Sequence, residues 1–470
     1  MPLQSRSLRY LLAPVVLGAS LLITFTLSAT GDLAAEEQSS RTLIRHASLI
    51  LTMDPTLGNG QLGTLTDGDV LVAGETIVAV GKGLSPTGAT VVEAAGKIIL
   101  PGFVDIHNHL YQSVFRGGCT DEDVLGWLDH CNIPVRKAMS EADIYAPVRL
   151  STLDLIGTGV TTVVDWVHLF KPEVARAYVR ALADSGLRFV FAYSQRKENL
   201  GAIKQVKAEL IDPLPLATFQ LSGGTLQHSA EHLALMAALA RELNVKLNVH
   251  LLEHIKQRED EPVKLLEKTG ALALGRNLLV NHAIHLMDEE IALLAKHDVR
   301  VSHNPLSNMR LASGIIRLPE LHAAGIKMGL GLDGGTNDTS DMFSNMRAAV
   351  GLQRAKALQA TVYPTVADVL RMATLGGAEA LDMADKIGSL TPGKKADLII
   401  LDPGSVNFAP RWDWINQIVF NAQPANVEYV FVNGKALKAK GQFVGVNPAE
   451  VIQAAEQAAQ RLRNAVKKSK

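Results

Sequence analysis

Ile98-Ile-Leu-Pro-Gly-Phe-Val-Asp-Ile-His-Asn-His109 is an apolar run that turns at Pro101-Gly102, resumes as a short strand and ends in two histidines one residue apart. Successive side chains of a strand alternate faces, so His107 and His109 share one. Two imidazoles beyond the end of a buried strand can ligate one cation, and neutral imidazole suits zinc and other late first-row metals. Taken alone, such a pair is more often polar surface beside a turn. What lies further along the chain decides the matter.

From residue 100 to about 390, strand-like apolar runs alternate with amphipathic helical segments. The expected strands are 103–106, 161–165, 189–193, 218–221, 247–250, 278–282, 299–303 and 328–333, with helices such as 172–185, 230–243, 288–296 and 318–324 between them. Eight β/α units predict an α/β fold, a (β/α)8 TIM-type barrel whose chemistry sits at the C-terminal ends of its strands. On both flanks the texture changes to short β-rich runs, 41–92 on one side and 397–401 and 427–432 on the other, with a turn at Asn433-Gly434. The economical arrangement is a small β-sandwich built from both chain ends, 41–99 and 391–446, with the barrel inserted. Residues 447–470 form an expected exposed helix with a basic end.

The chain has 470 residues, 47% of them hydrophobic and 20% charged, enough for one large and one smaller core. A formal net charge of -1 without a basic stripe excludes nucleic acid as a partner. Arg6 and Arg9 precede an apolar run over 10–29, followed by polar residues 36–40. That pattern is a secretory signal, although the run is also long enough for an uncleaved membrane anchor. Residues 1–40 are therefore signal peptide or tether, and the folded part is expected to be extracytoplasmic, periplasmic or secreted. The only cysteines, Cys119 and Cys131, make neither a disulfide scaffold nor a Cys-based metal site. An oxidising compartment would let them pair; two unpaired thiols is the other reading.

Metal-capable residues recur where the expected strands emerge into the barrel mouth. The first strand ends at His107 and His109, the fifth at His250 with Glu253 three residues on, the sixth at His282 and the eighth at Asp333. One such group would be a satisfied core polar residue. Four strand ends together make a convergent site.

With these residues in place the chain resembles the amidohydrolase superfamily, in its deaminase and chlorohydrolase branch. The matching motifs are 101–109, Gly159-Val-Thr-Thr162, His250-Leu-Leu-Glu253, His282, Ser302-His-Asn-Pro305 with Ser307-Asn308, Leu332-Asp-Gly334, and Gly388 with 393–398. The resemblance spans residues 41–446. It implies that His107, His109, His250 and Asp333 are metal ligands, that His282 orients the attacking water, and that Glu253 shuttles protons. Binuclear members carry a lysine at the end of the fourth strand, which here reads Ala217-Thr-Phe-Gln-Leu-Ser-Gly-Gly224. One divalent metal per chain is thus expected, zinc first, with iron open.

Other positions carry less. His303 and Asn304 match a family motif and either shape the substrate pocket or serve structure alone. Gln112 could touch substrate, and Trp127 could stack on a flat ring or simply pack. Asn337-Asp338 could cap a helix or line the mouth. His168, His228, His254, His285, His297 and His322 have no motif support and are assigned to surface or packing.

The expected activity is hydrolytic deamination of an amino-substituted nitrogen heterocycle of purine or nucleoside, pterin or pyrimidine type. Alternatives are an s-triazine chloro- or aminohydrolase and an exported hydrolase of cyclic or peptide-like amides. A binding protein on a dead barrel would require the loss of a site residue, and none is lost. The expected partners are a small heterocyclic substrate and further copies of the chain.

Both cysteines lie in the segment that must fold back over the barrel mouth, which favours their pairing. Thiol titration of exported, denatured, unreduced protein should find no free thiol. Closing so short a loop is worth roughly 3 kcal/mol in the chain-entropy model, so a Cys119→Ser/Cys131→Ser double variant should unfold earlier in urea by a corresponding amount.

Overall fold

The computed structural model describes residues 41–168, 170–224, 229–334 and 339–468. The expectations for residues 1–40, His228, Asn337 and Asp338 lie outside the described residues.

Eight parallel strands form the barrel: β1 (Phe103–Asn108), β2 (Val160–Trp166), β3 (Arg188–Tyr193), β4 (Ala217–Gly224), β5 (Lys246–Leu251), β6 (Leu278–His282), β7 (Arg300–His303) and β8 (Met328–Leu330). Each pairs with the next in chain order. Covered outside by helices and filled inside by side chains, such strands must be apolar almost throughout. Accordingly every residue of β1, β2 and β3 is buried. The helices Ala230–Leu243, Asp288–Lys296 and Leu318–Ala323 connect them where expected.

Polar contacts close the seam between β8 and β1. The Asp333 N–H donates to the His107 carbonyl at 2.8 Å, and the Leu332 N–H to Asp105 Oδ1 at 2.9 Å. The eighth strand stops at Leu330, short of the expected 333, because the chain leaves extended geometry there. Asp333 has φ 61°, in the left-handed region.

Strands from both chain ends build two further sheets. One has four strands, including Arg41–Ala47 and Gly68–Ala73; the other has seven and joins Ile98–Pro101 to Leu398–Leu401 in antiparallel register. Ile44, Ile50, Val70, Ile77, Ile99, Leu398, Ile400 and Phe431 form one core that draws on both sheets. Gly102 carries the chain from this core into β1, so close to β2 that a Cβ would lie 2.1 Å from Thr161 Cγ2.

The C-terminal helix, Pro448–Lys468, departs from the expectation of an exposed helix. Ala455, Ala458 and Leu462 recur on one face and are buried, and Ala458 and Leu462 pack against Val114 in the segment that follows β1. Arg461 pairs with Asp143 at 3.0 Å.

Arg188, at the start of β3, ties the barrel to the outer sheet. Its Nε and Nη2 donate to the two oxygens of Asp397 at 2.9 and 3.2 Å, and Nη2 also donates to Asn433 Oδ1 at 3.1 Å. All three residues are buried. Removing one partner strands the other charge, a loss of roughly 3–5 kcal/mol. Arg188→Ala should therefore lower the urea unfolding midpoint sharply, while Lys204→Ala, which breaks an exposed pair with Glu242, should barely move it.

Candidate metal centre and active site

His107 and His109 leave β1 on the same face, and His250 stands one place before the end of β5. His282 ends β6, and the bend after β8 delivers Asp333. His107 Nε2 and His109 Nε2 lie 3.2 and 3.1 Å from the same oxygen, Asp333 Oδ1. His107, His250, His282 and Asp333 each offer a ligand atom within 4.8 Å of one another. The structure thus brings together all five residues from four separated stretches. Glu253 joins them, with Oε2 3.6 Å from His282 Nε2.

Neighbours set which ring nitrogen carries hydrogen. His109 Nδ1 lies 2.6 Å from the Trp166 carbonyl, which can only accept, so Nδ1 donates and Nε2 keeps its lone pair. His282 Nδ1 lies 2.8 Å from Asn308 Oδ1, which leaves Nε2 facing Glu253 and Asp333 with a lone pair. Among the described residues neither ring nitrogen of His107 has a hydrogen-bond partner, nor has His282 Nε2. Ser307 Oγ donates to Asp333 Oδ2 at 2.5 Å.

Electrostatics separate the two carboxylates. Burial opposes charge on Asp333, but its contacts with His107 and His109 prevail and hold it well below the usual carboxylate range. Burial, aided by the Asp333 charge and opposed by His282, raises Glu253. Burial pushes His107 down to about 3 and His250 well below its ordinary value. Neutral imidazole lone pairs converging on an ionised, buried carboxylate repel one another unless a cation lies between them. The donor set therefore fits a divalent metal of the zinc type.

Two residues of the cluster sit on left-handed backbone. His282 has φ 70° and Asp333 φ 61°, a left-handed conformation that turns each side chain off its strand end and that Asp and His adopt more readily than most residues. Beneath them lies a buried amide row, Asn281 Nδ2 to Asn248 Oδ1 at 2.6 Å and Asn248 Nδ2 to Gln220 Oε1 at 3.3 Å, linking β6, β5 and β4.

The remaining expected residues divide. Gln112 is fully buried beside Gly334, where a Cβ would come within 3.1 Å of its Oε1. His303 ends β7 buried, with neither nitrogen partnered among the described residues and its pKa lowered to about 3 by burial. Asn304 Oδ1 accepts from Ser302, and its Nδ2 stands 3.3 Å from His282 Nδ1. Trp127 offers no open ring face. It is 3% exposed and packs with Val124, Cys131 and Leu311.

Cys119 and Cys131 are bonded, with Cα atoms 6.3 Å apart. The segment they close is clamped across the mouth by Asp123 Oδ2, 3.4 Å from His254 Nε2, next to Glu253. Beyond the packing expected of it, His254 serves this clamp. His168 carries no motif, yet it lies buried against His109 with ring centroids 4.6 Å apart. Its signal was its place, two residues past the end of β2.

A parallel barrel with a His/Asp metal-type centre at its mouth defines a metal-dependent hydrolase class. Residues 98–437 match the amidohydrolase family, and the chain belongs to it; its enzymes act on carbon–nitrogen bonds. The chain is 31% identical over 422 residues to a 5-methylthioadenosine/S-adenosylhomocysteine deaminase of Syntrophomonas wolfei, covering 86% of this chain and 96% of that one. It is also 31% identical over 435 residues to a 5'-deoxyadenosine deaminase of Methanococcoides burtonii, covering 88% and 96%. An adenosine deaminase from Xanthomonas campestris with bound zinc superposes with TM-score 0.81 at 26% identity, over 90% of this chain and 99% of that one. A zinc-complexed atrazine chlorohydrolase from Arthrobacter aurescens shares the fold, with TM-score 0.81 at 24% identity over 89% and 100%.

Ser307 holds the Asp333 carboxylate from behind. Ser307→Ala should weaken retention of an added divalent metal about 10- to 100-fold, the usual worth of an outer partner to a ligand, as read by competition with a chromophoric chelator.

Proposed function

We propose that this chain is a hydrolytic deaminase of an amino-substituted nitrogen heterocycle, of the purine nucleoside kind, using one divalent metal, zinc. The observation that carries this reading is Glu253. It is a buried carboxylate, raised in pKa and outside the His107–Asp333 cluster, facing the same space as His282. The names of the deaminase relatives support the nucleoside class. Placement outside the cytoplasm is supported by the Cys119–Cys131 bond and the basic and apolar N-terminal stretch. No helix among the described residues is long and apolar enough to cross a membrane.

His107, His109, His250 and Asp333 would hold the metal, which supplies Lewis-acid activation of water at neutral pH. His282 Nε2 has a lone pair with which to orient that water, and Asp333 can take its proton. Attack on an aromatic amidine carbon needs the adjacent ring nitrogen protonated, so that the ring can accept the electrons. Glu253 gives that proton. The proton taken from water returns through Glu253 to the exocyclic nitrogen, the C–N bond breaks as ammonia leaves, and the remaining hydroxyl proton passes to Glu253 as the ring carbonyl forms, which restores the acid.

Glu253→Gln should keep the metal and bind substrate, yet lose on the order of 10²–10⁴ in kcat. His282→Asn should also lower kcat with metal retained, whereas His250→Ala should lose the metal. Because Glu253 acts as an acid, kcat/KM should fall as pH rises through its raised pKa, and the Gln variant should lack that limb. A Glu253→Gln enzyme deaminating near the parent rate would end this mechanism.

A further inference from the structure

His168 stands just beyond β2, its ring 4.6 Å from His109 and 5.1 Å from Trp166. Its Nδ1 lies 3.1 Å from Tyr111 Oη. Asn132 Nδ2 donates to that same phenol oxygen at 2.8 Å. An oxygen that receives an amide N–H has its own proton left to give; Gln112 also bonds this hydroxyl, and His168 Nδ1 is the ring nitrogen within reach as an acceptor. An imidazole that accepts at Nδ1 carries its hydrogen on Nε2. With the Tyr111 hydroxyl proton directed at His168 Nδ1, this order assigns the ring its Nε2–H form. The hydrogen bond of His168 among the described residues is at Nδ1, which leaves Nε2–H to give, and the residue keeps 5% of its surface open.

The barrel order locates this donor. β2 neighbours β1 and is three strands from β5, so His168 and Glu253 stand on opposite sides of the mouth. A row of rings connects them: His168, His109, His250 stacked on His109 at 5.3 Å, and His282 stacked on His250 at 5.3 Å. A flat heterocycle with its reacting carbon over the ligand cluster and one ring nitrogen at Glu253 turns its other flank toward His168.

Resting on the deaminase reading, we propose that His168 is a specificity residue whose Nε2–H donates to a lone pair on the substrate, on the flank of the reacting carbon away from the nitrogen that Glu253 protonates. This narrows the substrate class. An adenine places N7 on that flank, whereas a cytosine presents a C–H there and leaves the donor unpaired. Bicyclic amino-heterocycles with an acceptor beside the reacting carbon are selected over aminopyrimidines.

The test pairs a change in the enzyme with a change in the ligand, using zinc-loaded protein, adenosine, 7-deazaadenosine and cytidine. With the unmodified enzyme, replacing N7 by C–H should cost about tenfold or more in kcat/KM, the effect of leaving a buried donor unpaired. His168→Phe should retain zinc, lose a similar factor with adenosine, and lose nothing further with 7-deazaadenosine. His168→Gln, which restores an N–H, should recover part of the adenosine rate. Equal sensitivity to the N7 change in both proteins would overturn the proposal, as would cytidine being preferred to adenosine. An independent readout is ¹⁵N-histidine NMR, with the His168 signal identified by its loss in His168→Phe; an Nδ1–H tautomer there also overturns it. Absence of turnover with any of the three ligands defeats the deaminase reading itself. Failure of the His168 proposal alone looks different, because adenosine is then deaminated and the two changes combine independently.

Discussion

Lone pairs that point at one another inside a barrel repel, and this is the constraint on which the mouth is built. His107 and His109 meet a single oxygen of Asp333, and His250 and His282 lie within a few ångströms. All but the half-buried His250 are closed off from solvent that could screen them. The Trp166 carbonyl and the Asn308 amide oxygen fix the tautomers, and Ser307 holds the carboxylate. Left-handed backbone at His282 and Asp333 aims the two groups. The converging lone pairs and the left-handed backbone cost stability in isolation, and a cation held by the cluster would offset them together.

The same surroundings give neighbouring carboxylates opposite characters. Asp333 is held ionised by the imidazoles, while Glu253 is raised by burial and by the charge on Asp333. Pairs of acids pushed apart in this way mark where an acid and a ligand or base divide the work. Asp105 and Asp165, both buried beneath the mouth, are raised as well, Asp105 to about 7 through burial. Their work is structural: Asp105 accepts from Leu332 and Asn108, and Asp165 from Leu110, which fixes the strand ends that carry the imidazoles.

Much of this was legible in the residues themselves. A parallel barrel buries its strands on both faces, so each strand announces itself as an apolar run, and groups at its end stand out. His107, His109, His250, His282 and Asp333 were visible for that reason. His168 follows a strand too, but its meaning depends on Tyr111 and Asn132, which reach it only through the curvature of the barrel and the fold of the disulfide-closed segment. Trp127 shows the converse: a ring in a mouth segment suggests stacking, and only packing with Leu311, far along the chain, shows it to be enclosed. The face of the C-terminal helix was missed because alanines at 455 and 458 make a faint stripe that gains meaning from its partner, Val114.

The antiparallel pairing of Ile98–Pro101 with Leu398–Leu401 has a consequence for how the molecule is made. The strand leading into β1 lacks this neighbour until the chain has been extended by some three hundred residues. During vectorial synthesis the N-terminal strands must wait, with an unsatisfied edge, while the whole barrel emerges. Chains ending before Leu401 would keep every metal-type residue yet leave that edge open, an invitation to pair with another chain. Completion of the polypeptide, rather than completion of the site, is then the event that makes the protein safe to accumulate.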